Sequence, residues 1–467
     1  MTDGMTGLRI ALLAACVFAA AMPPARADEP QQTLEQRVER LEKLLAATQA
    51  ELAAARSAAG ADPQRLAEIE RQIEILAREI EQLKLGEAPP AAVPESKDLR
   101  YGVGPAASKV YGKKGVSIGG YGEFIYQSFS GSRQDGEPSG SRNQADLARA
   151  VLYFGYKFDD RWVLNTEIEA EHAVTASDKG GEVEVEFAYL DYLFSRPVRA
   201  RAGLVLIPMG LINELHEPPT FLGVLRPDVE ERLIPSTWRE LGGGFYGDSG
   251  RFSYRLYGVN GLNSEGYSAE GIREGSQEGS EAAAENWAVT GRLDWTPVTG
   301  AFLGASFFSG DSDQGRTTPA GRPFAGRTTL FDVHADWIWR GVWLRGLYAR
   351  TTIGDAAAIN EANGLTAEES VGSRQWGWYV QGGFDVLSLR SGSRASLTPF
   401  VRYERYDTQA EVPAGYSRNP ENDVTVLTIG AVLKPIEPIA IKIDWQQRKN
   451  AARTGVDQWN VGLGYLF

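Results

Sequence analysis

Three histidines, His172, His216 and His334, are the only imidazoles in the 467 residues, so any acid–base or metal chemistry has few places to be. Two strings invite a chemical reading. "GDSG" at Gly247–Gly250 matches a serine-hydrolase string, and nucleophilic catalysis there would need a histidine positioned on Ser249. No histidine is placed for it by sequence, and a tight hairpin explains the string better. "ELHE" offers Glu214, His216 and Glu217, a conceivable divalent-metal ligand set on a proline-stiffened segment. His334, between Asp332 and Asp336, is a weaker case of the same kind. Charged residues lining water without a metal are commoner than either, so no catalytic residue, metal or cofactor is assigned. The chain is read as a non-enzyme.

The elements that must carry these residues follow from composition and patterning. There are 61 acidic and 48 basic residues, a net charge of −13, which argues against a nucleic-acid partner. Arg9, the apolar run Ile10–Met22 and Ala25-Arg26-Ala27 form a signal peptide, 1–27, with cleavage before Asp28. The one cysteine, Cys16, lies inside it. Leu13-Ala14-Ala15-Cys16 matches a lipoprotein box, but the apolar stretch before Cys16 is short, so plain cleavage is preferred. No other stretch has the roughly 18 apolar residues of a spanning helix. A membrane role therefore requires a closed barrel.

Residues 31–86 carry heptads. One seam is Val38, Leu45, Leu52, Ala59, Leu66, Ile73 and Ile80, and the other runs through Leu34, Leu41, Ile69, Leu76 and Leu83. This predicts an N-terminal α-helical coiled coil. Its phase survives Asp62-Pro63, which favours a parallel oligomer over a hairpin, and its order stays open between two strands and three. At about 1.5 Å per residue the coil would reach roughly 84 Å. Residues 87–100, "EAPPAAVPESKDLR", form a stiff Pro/Ala linker.

From Tyr101 the texture becomes alternating strands. Sixteen are predicted, starting near Val116, Leu147, Arg161, Val183, Val198, Trp238, Arg251, Trp287, Phe302, Leu330, Val342, Trp376, Leu397, Val424, Ile439 and Val456. Even-numbered strands end in short links such as "DD" and Arg340-Gly341. Odd-numbered strands end in long ones such as "SGSRQDGEPSGSRN". Strict short–long alternation is the pattern of an all-β, 16-stranded antiparallel transmembrane barrel, 101–467, with short periplasmic turns and long outer loops. Within strands, "WVLNTEIEAE" and "IAIKIDWQQR" alternate apolar and charged residues. In a barrel the charged face is the lumen, which then holds water. The terminal "QWNVGLGYLF" closes the cylinder on the first strand, and Phe467 reads as the signal for the barrel-assembly machinery.

The third outer loop, 209–237, differs from its siblings. It carries Leu, Ile and Phe, and five prolines lie between Pro208 and Pro235, so it wants burial inside the barrel. "IGGYGEF", "RAVLYFGYKFDDRW", "AGLVLIPMGLINE" and "GLGYLF" resemble the phosphate-selective porin O and P family, and outer-membrane porins generally, as a fold-level match over roughly 101–467. The resemblance implies a Gram-negative outer-membrane trimer in contact with lipid, with the coiled coil in the periplasm. It also implies passive diffusion of small hydrophilic solutes or ions past an inward third loop.

Phosphate selectivity does not carry over. Residues 101–467 hold 36 Lys and Arg against 45 Asp and Glu. The expected constriction residues are Glu214, His216, Glu217, Arg226, Asp228, Glu230, Glu231 and Arg232, five acids against two arginines, which favours cations. Strand parity turns Arg149, Arg201, Arg255, Arg292, Arg345 and Arg402 inward, with Glu167, Glu169, Glu184 and Glu186 among the acids facing them. Either these charges set a transverse field or they pair with one another. Two other functions compete: a structural tether that uses the coiled coil and, with no Ser/His constellation to support it, an outer-membrane hydrolase. Deleting residues 31–86 should weaken a heat-labile oligomer on mild gels. An equally stable oligomer would show that the coil is not its clamp.

Overall fold

The computed structural model describes residues 43–46, 48, 49, 52, 101–176, 180–298, 300–390 and 393–467. Residues 43–46, 48, 49 and 52 are helical, and the remainder of the expected coiled coil, the signal peptide and the linker lie outside the described residues. The strands are β1 (Gly115–Phe129), β2 (Gln144–Lys157), β3 (Trp162–Glu171), β4 (Val183–Leu193), β5 (Arg199–Leu206), β6 (Arg239–Ser249), β7 (Phe252–Asn260) and β8 (Trp287–Trp295). They continue as β9 (Ala301–Gly310), β10 (Thr328–Trp339), β11 (Val342–Ile353), β12 (Arg374–Phe384), β13 (Ser396–Glu411), β14 (Asp423–Ile436), β15 (Ile439–Asn450) and β16 (Gln458–Leu466). Each pairs antiparallel with its sequence neighbours, and β1 pairs with β16 to close the sheet. The largest displacement from the expected strand starts is at β2, which begins at Gln144 rather than Leu147.

Period two decides which face sees which medium. On β16, Trp459, Val461 and Leu463 are 56%, 44% and 40% exposed on the outer wall, while Asn460 between them is fully buried. On β15, Ile441 and Ile443 point out, and Lys442 and Asp444 are buried inside. A water-soluble fold would show the reverse. An exposed apolar belt around a charged interior matches a wall set in hydrocarbon.

Turn chemistry explains the short links. Arg340 and Gly341 both take positive φ, 48° and 83°, as the two central residues of a tight hairpin require. "GDSG" finishes β6, with Gly250 at φ +60° in the turn to β7. After β2, Asp159 accepts the N–H groups of Trp162 and Arg161, both at 2.8 Å. These bonds hold its carboxyl below the usual carboxylate range.

The closing seam extends one step further at Phe467. Phe467 N–H donates to Gly120 O at 2.9 Å, and Gly120 N–H donates to Phe467 O at 3.1 Å, one step past the β1–β16 ladder. The Phe467 ring lies over Gly120, where a side chain would overlap it. Removing Phe467 deletes both bonds and the ring contact at the seam. The truncated protein should show clearly reduced heat-modifiable, membrane-inserted barrel in outer-membrane fractions. Normal insertion would contradict a role for this residue in assembly.

Candidate functional site

Buried charge among the described residues gathers in the lumen, and its wall comes first. The inward arginines pair with acids close by on the wall. Arg201 Nε donates to Asp191 Oδ1 at 2.8 Å from the cross-strand position. Arg345 Nε donates to Asp336 Oδ2 at 3.0 Å in the same way, and Arg402 Nε donates to Glu404 Oε1 at 2.7 Å. Arg149 reaches Glu123 at 3.4 Å and Glu169 at 3.7 Å. Local pairing, rather than charges opposed across an open pore, is the arrangement of these side chains.

Besides Asp407 and Asp423, which Arg418 and Arg405 meet, two cross-strand pairs carry like charge, which alone would destabilise the sheet. Arg255 sits opposite Arg292, and Glu169 opposite Glu184. The first is compensated by Asp294, 3.3 Å from Arg255 and 2.8 Å from Arg292, and by Glu214 from the third loop, at 2.7 and 3.5 Å. The second leans on Arg149 at Glu169, and on Arg239, which bonds Glu184 Oε2 at 2.5 Å.

The third loop, 207–238, is buried along nearly its whole length. Its neck is pinned by Asn213, whose Nδ2 donates to Ile207 O and Trp238 O while its Oδ1 accepts Trp238 N–H. Glu230 ties the loop to itself and to the wall. Its Oε2 accepts Leu211 N–H and Ile212 N–H at 2.5 and 2.7 Å, and its Oε1 accepts Tyr379 O–H at 2.5 Å. Further along, Val224 N–H donates to Asp444 at 2.6 Å and Lys442 Nζ donates to Gly223 O at 2.8 Å. Arg402 donates to the carbonyls of Leu222, Leu225 and Arg226. Asp228 accepts from Arg448 and Tyr406. The loop therefore leaves β5, crosses the lumen to β13 and β15, and returns to β6. Gly462 and Gly464 of "GLGYLF" face it, and a Cβ on Gly464 would overlap Pro218.

Four of the five loop acids, Glu214, Glu217, Asp228 and Glu230, are thus buried and committed to partners. Glu231 and Arg232 are half-buried, with Arg232 on Glu270 at 3.1 Å, and Arg226 donates to Ser236 at 3.1 Å. The "ELHE" neighbours diverge. Glu214 goes to the arginines of β7 and β8. Glu217 Oε1 accepts Ala106 N–H at 2.9 Å. His216 turns to Glu167 and Glu186, 3.3 Å from each.

That Glu217 contact exposes a component the strand pattern did not signal. Residues 101–114 precede β1, and 101–111 lie inside the wall, with a 3-10 turn at Ala107–Tyr111, while 112–114 are exposed. Val103, Ala106, Ala107, Val110 and Tyr111 are buried. Asn165 Nδ2 donates to Ala107 O at 3.0 Å, Tyr111 O–H donates to Asp191 at 2.6 Å, and Arg201 donates to Tyr101 O at 2.8 Å. Tyr101 and Tyr111 stack at 3.7 Å. The segment fills the lumen beside β1–β6 and meets the third loop at Glu217. Its sequence clue is small: Gly104, where any side chain would strike Glu217.

The remaining histidines are engaged with carboxylates. His334 lies between Asp332 at 2.6 Å and Asp294 at 3.0 Å, and His172 bonds Asp146 at 2.6 Å at the surface. Ser249 of "GDSG" sits at the β6 hairpin, on a different element from all three.

Among solved structures the fold is similar to an anion-selective porin from Comamonas acidovorans. The TM-score is 0.51 at 11% identity, over 76% of this chain and 100% of that one. OmpF of Salmonella typhi, in complex with daunomycin, gives 0.51 at 12% identity, over 75% and 97%. These likenesses are of fold. No family model matches the sequence. A protein of Aquifex aeolicus (strain VF5), described as uncharacterized, is 38% identical over 387 residues, 80% of this chain and 85% of that protein. The chain belongs to the same family as that Aquifex protein.

Proposed function

We propose that the protein is an outer-membrane channel for passive diffusion of small hydrophilic solutes or ions, narrowed by its third loop and by residues 101–111. One observation carries this reading: the wall is apolar outside and densely charged inside, with a loop of its own folded across the interior. A barrel used only as an anchor has no need of a charged interior, which costs desolvation wherever pairing is incomplete. The working form is a homo-oligomer, a trimer by resemblance, with any coiled coil in the periplasm. The porin-like strings noted above support membership of a porin group, and they resemble those of the phosphate-selective O and P family.

Selectivity follows from which charges lack partners. The buried loop acids act as clamps, so neutralising Glu214 or Glu230 would loosen the loop rather than only alter the field. Glu167 and Glu186 have no guanidinium within ion-pairing distance among the described residues, and Glu167 Oε2 and both Glu186 oxygens have no hydrogen-bond partner either. The Comamonas porin is described as anion-selective. In this chain the acid excess favours cations.

The filled interior favours one second reading, a barrel that serves mainly to hold a periplasmic tether. Planar-bilayer recording separates the two. A channel gives discrete conductance steps, and a plugged anchor gives none. Deleting residues 101–111 should raise the unit conductance severalfold, and an unchanged step would mean that this segment does not obstruct the path. In a salt gradient the reversal potential should lie on the cation side, and a Glu167→Gln/Glu186→Gln variant should move it towards anions. The effect should shrink at 1 M salt, where the Debye length is roughly 3 Å. A strong chloride or phosphate preference in the unmodified channel would overturn this reading and give the filter to the wall arginines.

A further inference from the structure

The same unpartnered acids pose a question that permeation leaves unanswered: what compensates them when the protein is at rest? Glu167 of β3, Glu186 of β4 and His216 of the third loop are each almost fully buried, and one ligand-type atom from each lies within 4.8 Å of the others. His216 Nδ1 is 2.9 Å from Asn213 O. A carbonyl can only accept, so Nδ1 carries the proton, and Nε2 is left facing the carboxylates. Glu167 Oε1 and Glu186 Oε2 are each 3.3 Å from that nitrogen. Glu167 Oε2 and both oxygens of Glu186 have no hydrogen-bond partner. Of the nearby arginines, Arg149 is on Glu123 and Glu169, Arg239 is on Glu184 and Glu278, and Arg226 donates to Ser236. The Tyr121 ring, 5.9 Å from the imidazole, closes another side.

The backbone is also built to bring Glu186 in. The β3–β4 register shifts between Glu167 and Ile168: Glu167 pairs with Phe187 and Ile168 with Val185. Glu186 is the extra residue of this bulge, and it is buried together with its neighbour Phe187, against strict alternation. Bulges of this kind re-aim one side chain. Here the re-aimed side chain is a carboxylate pointed at a fixed imidazole and a second carboxylate. Three such groups converging in a buried space have to be neutralised, by protons or by a cation held between them.

We propose that Glu167, Glu186 and His216 bind a first-row divalent transition cation of the zinc class in the lumen. The geometry suits it. Two ligands each about 2.0–2.1 Å from a tetrahedral zinc lie about 3.3–3.4 Å apart, which matches the two imidazole–carboxylate separations. The imidazole selects a transition metal over magnesium or calcium. The Nδ1–H bond to a backbone carbonyl is the outer-shell contact that orients a ligating histidine. Three protein ligands leave further coordination open to water. Glu186 also lies within the same reach of Glu169 and Glu184, so the site adjoins a second group of acids.

The test uses the full-length protein, purified in detergent, stripped with a chelator and dialysed against micromolar zinc chloride. One zinc per chain is expected, and X-ray absorption should show one imidazole nitrogen with oxygen ligands at about 2.0–2.1 Å. E186Q and H216A should each lose the metal or bind it at least about tenfold more weakly. H172A, which removes the histidine of the surface pair with Asp146, should bind zinc normally. Heat-modified gel mobility establishes that each variant is folded, and E186Q keeps the side chain's size should H216A misfold. No zinc on the unmodified protein would mean that protons alone fill the cluster, and would overturn the proposal. So would zinc retained by folded E186Q, or zinc lost in H172A.

Discussion

A backbone that passes through hydrocarbon finds no water to bond, so every strand must have a partner on both sides. The rest of the structure depends on this constraint. It forces β16 back onto β1 and makes Gly120 and Phe467 exchange their main-chain bonds. It turns one face of every strand towards lipid. Charged side chains are then confined to the other face, and they crowd into a single enclosed space. Their mutual compensation becomes the main problem that the interior has to solve.

Three solutions are visible. Hairpin neighbours pair directly, as Asp191 and Arg201 do across β4 and β5. The third loop supplies charges where the wall has a like pair, as Glu214 does between Arg255 and Arg292. Wall side chains in turn cap the loop's own backbone, with Asp444, Arg402 and Lys442 meeting the N–H and carbonyl groups of residues 222–226. The loop is thus a structural member of the interior. Its acids cannot be counted simply as an electrostatic filter. What the three solutions leave over is the cluster at Glu167, Glu186 and His216, where compensation within the chain is incomplete.

Much of this was legible in the sequence, because the alternation of β strands is a local signal. Trp459, Val461 and Leu463 announce an outer face, and the long and short links announce the hairpins. The inward set of arginines follows from parity. The partners of the third loop are a different matter. Val224 and Asp444 are 220 positions apart, and nothing local connects them. "ELHE" reads as one ligand group because its residues are adjacent, yet an irregular loop sends Glu214 to β7 and β8, His216 to β3 and β4, and Glu217 to the segment before β1. Residues 101–114 are counted in the sequence with the alternating barrel from Tyr101, yet they precede the first strand, and nothing local marks 101–111 as a lumenal segment. The Glu186 bulge had a faint signal in the outward Val183 and Val185 followed by the inward Phe187, Tyr189 and Asp191, which shifts parity by one.

The central structural claim is that the third loop crosses the interior and rests on the far wall. Gly462 of β16 faces Val224, and a Cβ built on Gly462 lies 3.6 Å from Val224 Cβ. That separation is within the roughly 3.5–4.5 Å that a disulfide needs. In a chain whose Cys16 is changed to Ser, the pair Val224→Cys and Gly462→Cys should close a disulfide under mild oxidation in folded protein. It would be read by mass spectrometry of the linked peptides, and each single variant would keep a free thiol. Folded double variant with both thiols free would mean that the loop lies elsewhere, and the account of the lumen given above would fall with it.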